Sequence, residues 1–397
     1  MDKIRIYIAL LFCQAISFIL PVQAQNNTGN NSNRYNTQYS YDCMGNITSL
    51  SRNGLLDDGS YGLIDDITLT YDGNQLMAVS DDGDAPTYNN AWNFMDGSDS
   101  EIEYEYDANG NVTKDLNRNI LSIQYNMLNL PSVIEFAGGK TIKYTYSADG
   151  HKLRAVYTTV TPATTKQIDY CGNLIFENGQ LQQINVDGGY ATYIGSSWAY
   201  HFYVKDHLGN NRMVIHPSSL YLQPQVNNYY PYGGLMANST NHNQQRYKYN
   251  GKELDRMHGL DWYDYGARWM DAAIGRWHVI DPLCEKYYDI SPYAYCAGDP
   301  VNAIDPDGRK VYIVATTLPG FQKLPFATHT YTLVTGHGAP KRYAYGSEKN
   351  GISGIFSGNL KRCFYVDDEK TVIAITSCIY GWLMQFCQAV GLLYLYP

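Results

Sequence analysis

Along much of this chain apolar and polar side chains alternate one by one, and Asp, Asn and Gly break the alternation at recurring points. The clearest instance is Tyr104-Glu-Tyr-Asp-Ala-Asn-Gly-Asn-Val112. A period of two places Tyr104 and Tyr106 on one face of a strand and Glu105 on the other. Asp107-Ala-Asn-Gly110 then supplies a turn, because Asp opens turns and Asn-Gly tolerates positive φ, and Asn111-Val112 begins the return strand. Related units stand at Tyr39-Ser-Tyr41-Asp-Cys-Met-Gly-Asn-Ile47, Tyr71-Asp-Gly-Asn-Gln-Leu76, Tyr125-Asn-Met-Leu-Asn-Leu-Pro131 and Tyr144-Thr-Tyr146-Ser-Ala-Asp-Gly-His-Lys-Leu153. The aligned tyrosines Tyr41, Tyr71, Tyr106, Tyr125 and Tyr146 are 30, 35, 19 and 21 residues apart. The short steps suit a hairpin period and the long ones leave room for loops. The pattern therefore predicts a mainly β fold of hairpins stacked into one long sheet that curls on itself.

The two ends depart from this pattern. Lys3 and Arg5 precede an uncharged run from Ile6 to Leu20, and Pro21-Val-Gln-Ala24 supplies small residues for cleavage after Ala24. Residues 1–24 thus read as a signal peptide, which makes the protein secreted, periplasmic or cell-surface. Residues 25–38 read as a flexible lead-in. After Gly308, Lys310–Ala315, Thr328–Val334 and Arg342–Gly346 read as further strands. Thr371 to Pro397 contains no Asp, Glu, Lys, Arg or His. That tail admits a buried terminal segment, a membrane-associated segment or the product of a disrupted reading frame.

Composition sharpens the β reading. Tyrosine is the outlier at 38 of 397 residues, and its ring suits a pleated, half-buried surface. The formal net charge of −9, with no basic patch, excludes a general nucleic-acid-binding face on the scaffold. Removal of Cys13 with the leader would leave seven cysteines in no CxxC arrangement, so neither a structural zinc site nor a disulfide framework is indicated. A Cys284–Cys296 bridge stays open.

The stretch Tyr263-Asp-Tyr-Gly-Ala-Arg-Trp-Met-Asp-Ala-Ala-Ile-Gly-Arg-Trp277 is followed by Ile280-Asp-Pro282, Ser291-Pro-Tyr-Ala-Tyr295 and Asp299-Pro-Val-Asn-Ala-Ile-Asp-Pro-Asp-Gly308. Together these resemble the core signature of Rhs-repeat (YD-repeat) proteins. The resemblance covers roughly Tyr39 to Gly308. It implies a repeat region at 39–246 forming a β-hairpin sheet or partial β-shell, and a repeat-associated core at 247–308. A variable C-terminal module at 309–397, small and α+β or β, would follow. It further implies an exported scaffold acting in cell-surface interaction or interbacterial competition, without a clear catalytic site of its own. Its partner would be an unidentified protein or surface. Two alternatives stand beside it. One is an effector whose 309–397 module is a papain-like or other hydrolase payload, with a cognate immunity protein if that module is toxic. The other is an inert remnant of a longer gene.

Chemistry has two candidate locations. In some members of the resembled family an aspartate pair releases the C-terminal segment by aspartyl-protease-like hydrolysis, and the matching residues are Asp281 and Asp305. Two carboxylates that share a proton act as acid and base together. The chain departs from cleaving members at Cys284, where they carry glycine, and at Arg309, where they carry a bulky apolar residue. The second location is His329, in Ala327-Thr-His-Thr-Tyr331, which resembles the histidine strand of circularly permuted papain-like hydrolases and would activate a later cysteine. His207, in Asp206-His-Leu-Gly-Asn210, reads as a turn residue. The chain has no phosphate loop, HExxH or GxSxG motif, so no cofactor or metal is assigned.

Overall fold

The computed structural model describes residues 34–84, 93–194, 197–216, 224–241, 243 and 245–314, and two short paired strands at Tyr331–Leu333 and Lys341–Tyr343. The expected leader, His329 and the uncharged 371–397 tail lie outside the described residues. Strands dominate, and among the described residues no helix reaches seven residues. The mainly β expectation is met.

The strands follow one another as antiparallel neighbours. β1 (Thr37–Tyr41), β2 (Ile47–Leu55), β3 (Tyr61–Asp72) and β4 (Gln75–Asp81) form a four-stranded sheet in chain order. A thirteen-stranded sheet, also in chain order, begins with β5 (Tyr104–Tyr106), β6 (Val112–Asp115), β7 (Ile120–Tyr125), β8 (Pro131–Phe136), β9 (Thr141–Tyr146) and β10 (Lys152–Val160). It continues through β11 (Ala163–Cys171), β12 (Leu174–Glu177), β13 (Gln180–Val186), β14 (Gly189–Ile194) and β15 (Ser197–Lys205), and ends with β16 (Asn211–Ile215) and β17 (Gln225–Val226). A smaller sheet holds β18 (Glu253–Asp255), β19 (Trp262–Asp264), β20 (Trp269–Asp271) and β21 (Arg276–Trp277).

The repeat turns are built differently from a two-residue Asn-Gly hairpin. Asp107 Oδ1 accepts the amides of Asn109 and Asn111, both at 2.9 Å, while Asn111 Nδ2 donates to Asp107 Oδ2 at 2.9 Å. Asp42 with Asn46, and Asp206 with Asn210, repeat this arrangement. The Asp side chain thus substitutes for backbone partners inside the loop. Only the fourth residue of each loop takes a positive φ, 80° at Gly45, 75° at Gly110 and 80° at Gly209. Tyrosine hydroxyls then tie one repeat to the one before: Tyr71 donates to the Ile47 carbonyl at 2.7 Å and Tyr125 to the Val112 carbonyl at 2.6 Å.

Side chains of the 229–308 segment pack against the strands of the repeat region. One apolar cluster joins Ile47, Ile67, Ile123, Ile134 and Ile142 of the repeats to Tyr232, Trp262, Trp269, Met270 and Trp277. The repeat region and the core segment therefore share a single core. The 229–308 segment also reaches the first sheet: Tyr41 and Tyr232 hydroxyls lie 3.0 Å apart, and Tyr230 donates to the Asn53 carbonyl at 2.8 Å.

Candidate functional site

Several buried charged groups of the core segment are met by partners from the repeats. Lys152 Nζ, 7% exposed, lies 2.9 Å from Glu253 and 2.8 Å from Asp264, and sits over the rings of Tyr170 and Trp269. Arg118 bridges Asp115 at 3.0 Å and Asp271 at 2.8 Å. Asp255 Oδ2 accepts both the Tyr144 and the Tyr157 hydroxyls at 2.7 Å. These contacts fasten the core segment to the sheet and leave little reactive capacity.

The remaining cluster lies at the end of the core. Arg268 stands one residue before β20, its guanidinium under Trp277 with 4.1 Å to the ring centroid. Its Nη2 is 2.9 Å from Asp281 Oδ2 and 3.0 Å from Asp305 Oδ2, so both expected aspartates converge on one nitrogen. Arg268 Nε donates to the Gly308 carbonyl at 2.6 Å. Asp305 Oδ1 accepts the Gly308 amide at 2.8 Å and the Arg309 amide at 2.9 Å, and Asp281 Oδ1 accepts the Leu283 amide at 2.7 Å. The Gly308–Arg309 peptide is therefore held at both its oxygen and its nitrogen. Gly308 is required there: its φ is +78°, and a Cβ would come within 2.9 Å of the Arg268 nitrogen.

Electrostatics at the cluster follow from one cation serving two buried acids. Burial pushes Asp305 up to about 6, against the pull of Arg268 and the Arg309 amide, with Asp307 and Asp281 adding to the rise. Burial also raises Asp281, again opposed by Arg268. The adjacent Cys296 thiol is pushed well above its usual range, first by burial and then by Asp305, so it stays protonated and unreactive. Cys284 and Cys296 are both free thiols, and the open bridge between them is not formed.

No family model matches the chain. Among curated proteins, Salivary gland surface protein 1 of Aedes aegypti is 29% identical over 192 residues, which is 47% of this chain and 5% of that protein. Among solved structures, a TcdB2–TccC3–Cdc42 crystal structure is 19% identical over 69% of this chain and 15% of its own, with a TM-score of 0.48. A Photorhabdus luminescens Tc holotoxin pore is 19% identical over 68% and 15%, with a TM-score of 0.46. The chain spans about one-seventh of those structures and one-twentieth of the curated relative. Likeness of this degree assigns neither family nor activity.

Of the residues expected from sequence, Asp281 and Asp305 are brought together and His329 lies outside the described residues. His207 is the turn residue it was expected to be, and it is exposed, with Nε2 3.3 Å from the Val301 carbonyl. Arg268 was missed. Its signal was present in Tyr-Gly-Ala-Arg-Trp-Met, where a lone cation among apolar residues requires a buried anion. Among the described residues no group of three or more His, Cys, Asp or Glu side chains is placed to hold a metal ion.

Proposed function

We propose that this chain is an exported YD-repeat scaffold of the Rhs type that holds and presents the segment after Gly308 for cell-surface interaction or interbacterial competition. The observation that carries this reading is the grip on the Gly308–Arg309 junction, where a buried guanidinium and a buried carboxylate fix the two sides of one peptide bond. The grip leaves the scaffold at the point where the resembled family changes from constant core to variable module. The binding partner would be a protein or surface met by that module, and an immunity protein if the module is toxic.

A second reading is favoured by the same peptide. Its oxygen lies 2.6 Å from Arg268 Nε and its nitrogen 2.9 Å from Asp305 Oδ1, contacts that support a hydrolytic reading. Water would add to the Gly308 carbonyl carbon and lose its proton to the Asp281 carboxylate, while Arg268 holds the oxyanion. Protonated Asp305 would deliver its proton to the Arg309 nitrogen as the C–N bond breaks, leaving a Gly308 carboxylate and a new amino terminus at Arg309. The raised Asp305 makes its acid form available in mildly acidic solution.

Intact mass of the exported full chain, followed over time at about pH 5 and about pH 7, separates the two. The scaffold reading expects one species at both. A fragment beginning at Arg309 that grows at the lower pH and vanishes in Asp305→Asn would overturn it in favour of self-hydrolysis.

A further inference from the structure

Four buried cations in this fold are matched to carboxylates. Arg52 lies 2.7 Å from Asp65, Arg118 meets Asp115 and Asp271, Lys152 meets Glu253 and Asp264, and Arg268 meets Asp281 and Asp305. Arg276, the first residue of β21 and 6% exposed, departs from them. Among the described residues no carboxylate oxygen lies within 4.0 Å of its guanidinium. Its Nη2 donates to the Asn74 carbonyl at 2.8 Å, and the Tyr71 hydroxyl accepts a second bond. A guanidinium has five N–H donors, so these two acceptors leave most of its capacity unused. The group lies over two rings, 5.1 Å from the Tyr71 centroid and 4.9 Å from that of Tyr293.

Those rings attract the cation through their faces but do not cancel its charge. Neither tyrosine is ionised, because burial raises both hydroxyls against the pull of Arg276 and takes Tyr293 up to about 12. Asp42, the acid that reaches Tyr71 electrostatically, is engaged by the Met44 and Asn46 amides and by Asn46 Nδ2. Beside the guanidinium is a cavity of about 10 Å³, walled in part by Arg276, Tyr71, Tyr293, Ile47 and Gly275. That is room for about one water-sized particle. No side chain fits at Gly275, whose φ is +66° and whose Cβ would come within 2.9 Å of Ile47 and Tyr232 on the same wall. The wall draws on β2 and β3 of the first sheet and on β21 of the core segment.

We propose that this cavity is a halide site, in which one chloride accepts N–H donors of Arg276 and supplies the negative charge that the other four cations take from carboxylates. A neutral water would meet the donors but leave a buried charge without a counter-charge, which is costly in the interior. A tetrahedral oxyanion such as phosphate needs more than one water-sized space. The ion would join the first sheet to the core segment, so the hold of one on the other would follow the chloride concentration of the medium. The site is separate from the Gly308 junction, and the inference does not depend on the function proposed above.

The test uses the full chain at constant ionic strength, with sodium chloride replaced stepwise by sodium gluconate, whose anion is too large for the cavity. The wild-type urea midpoint should rise with chloride, by about 0.5 M once chloride is about tenfold above its dissociation constant. Bromide should substitute for chloride, and wild-type crystals grown in bromide should show an anomalous peak in the cavity beside Arg276. Arg276→Met keeps apolar bulk between the two rings and removes the charge, so its midpoint should not respond to the exchange. An unresponsive wild-type midpoint, an equal response in Arg276→Met, or a bromide-grown crystal with water in the cavity would each overturn the proposal. Should Arg276→Met not fold, the bromide peak decides by itself.

Discussion

Arg268→Met tests the junction cluster most directly. The wild-type guanidinium is 1% exposed and is the cation shared by two carboxylates that are 13% and 0% exposed. Methionine fills much of the same volume under Trp277 but leaves Asp281 and Asp305 with only their backbone amide donors. Breaking a buried ion pair by removing one partner costs about 3–5 kcal/mol. With a urea m-value near ~3 kcal/mol/M, the midpoint should drop by about 1–1.7 M at neutral pH.

The pH dependence gives the sharper check. Wild-type Asp305 lies at about 6, above its ordinary 3.8. Between those values the folded state therefore binds more protons than the unfolded chain, and the stability owed to this group falls as pH rises through that window. Arg268 pulls both carboxylates down, so its loss moves the upper edge of the window higher. The gap between wild type and Arg268→Met should be small near pH 4 and widen towards pH 7. Adding Asp281→Asn and Asp305→Asn to Arg268→Met should recover most of the loss, because no buried charge remains without a partner. Urea titrations of the three proteins at both pH values decide it. A loss below about 1 kcal/mol at neutral pH, or one equal at both, would refute the claim that this cation neutralises the pair.

Two further expectations concern the repeat turns. Asp107→Ala removes the acceptor of two backbone amides and of the fully buried Asn111 side chain, and should cost about 2–4 kcal/mol in urea unfolding. A cost under about 1 kcal/mol would mean that the Asp side chain is incidental to the loop. Gly110→Ala and Gly45→Ala share a positive φ, but only the Cβ at 110 meets neighbours, Ile280 at 2.5 Å and Tyr293 Oη at 2.7 Å, whereas none lies within 4 Å at 45. Both should lose about 1 kcal/mol to backbone strain, and Gly110→Ala about 1–3 kcal/mol more to overpacking. Equal midpoints would place the 107–110 turn away from the core.

The turns were legible because their chemistry is local: Asp, Gly and Asn within five residues contain the donors, the acceptor and the left-handed position. Their conformation was only half legible. Asn-Gly suggests a two-residue reversal, yet the Asp carboxylate organises a longer loop in which Asn109 stays at ordinary φ and Gly110 alone turns. The aspartate pair was legible from its position in a resembled signature, while Arg268 between them was not. Alternation says nothing about which charge crosses the core to meet which. The same limit applies to Lys152, whose partners Glu253 and Asp264 are about a hundred residues further on and were invisible before the fold was known.

Those long-range charges also bear on why the core segment is not simply apolar. An aromatic seam of Tyr and Trp rings can slide by a pleat at small cost, since every ring finds another ring. A buried carboxylate cannot, because a slip of one residue along β18 or β20 turns Asp255 or Asp271 away from Tyr144, Tyr157 or Arg118 and leaves it unsatisfied. Asp271, pushed up to about 6 chiefly by burial, shows that the arrangement is not optimised for stability alone. What the pairs supply is register. The last pair in the series, Arg268 with Asp305, transmits that register to the Gly308–Arg309 peptide, so the point where the chain leaves the scaffold is fixed by the same contacts that seat the core.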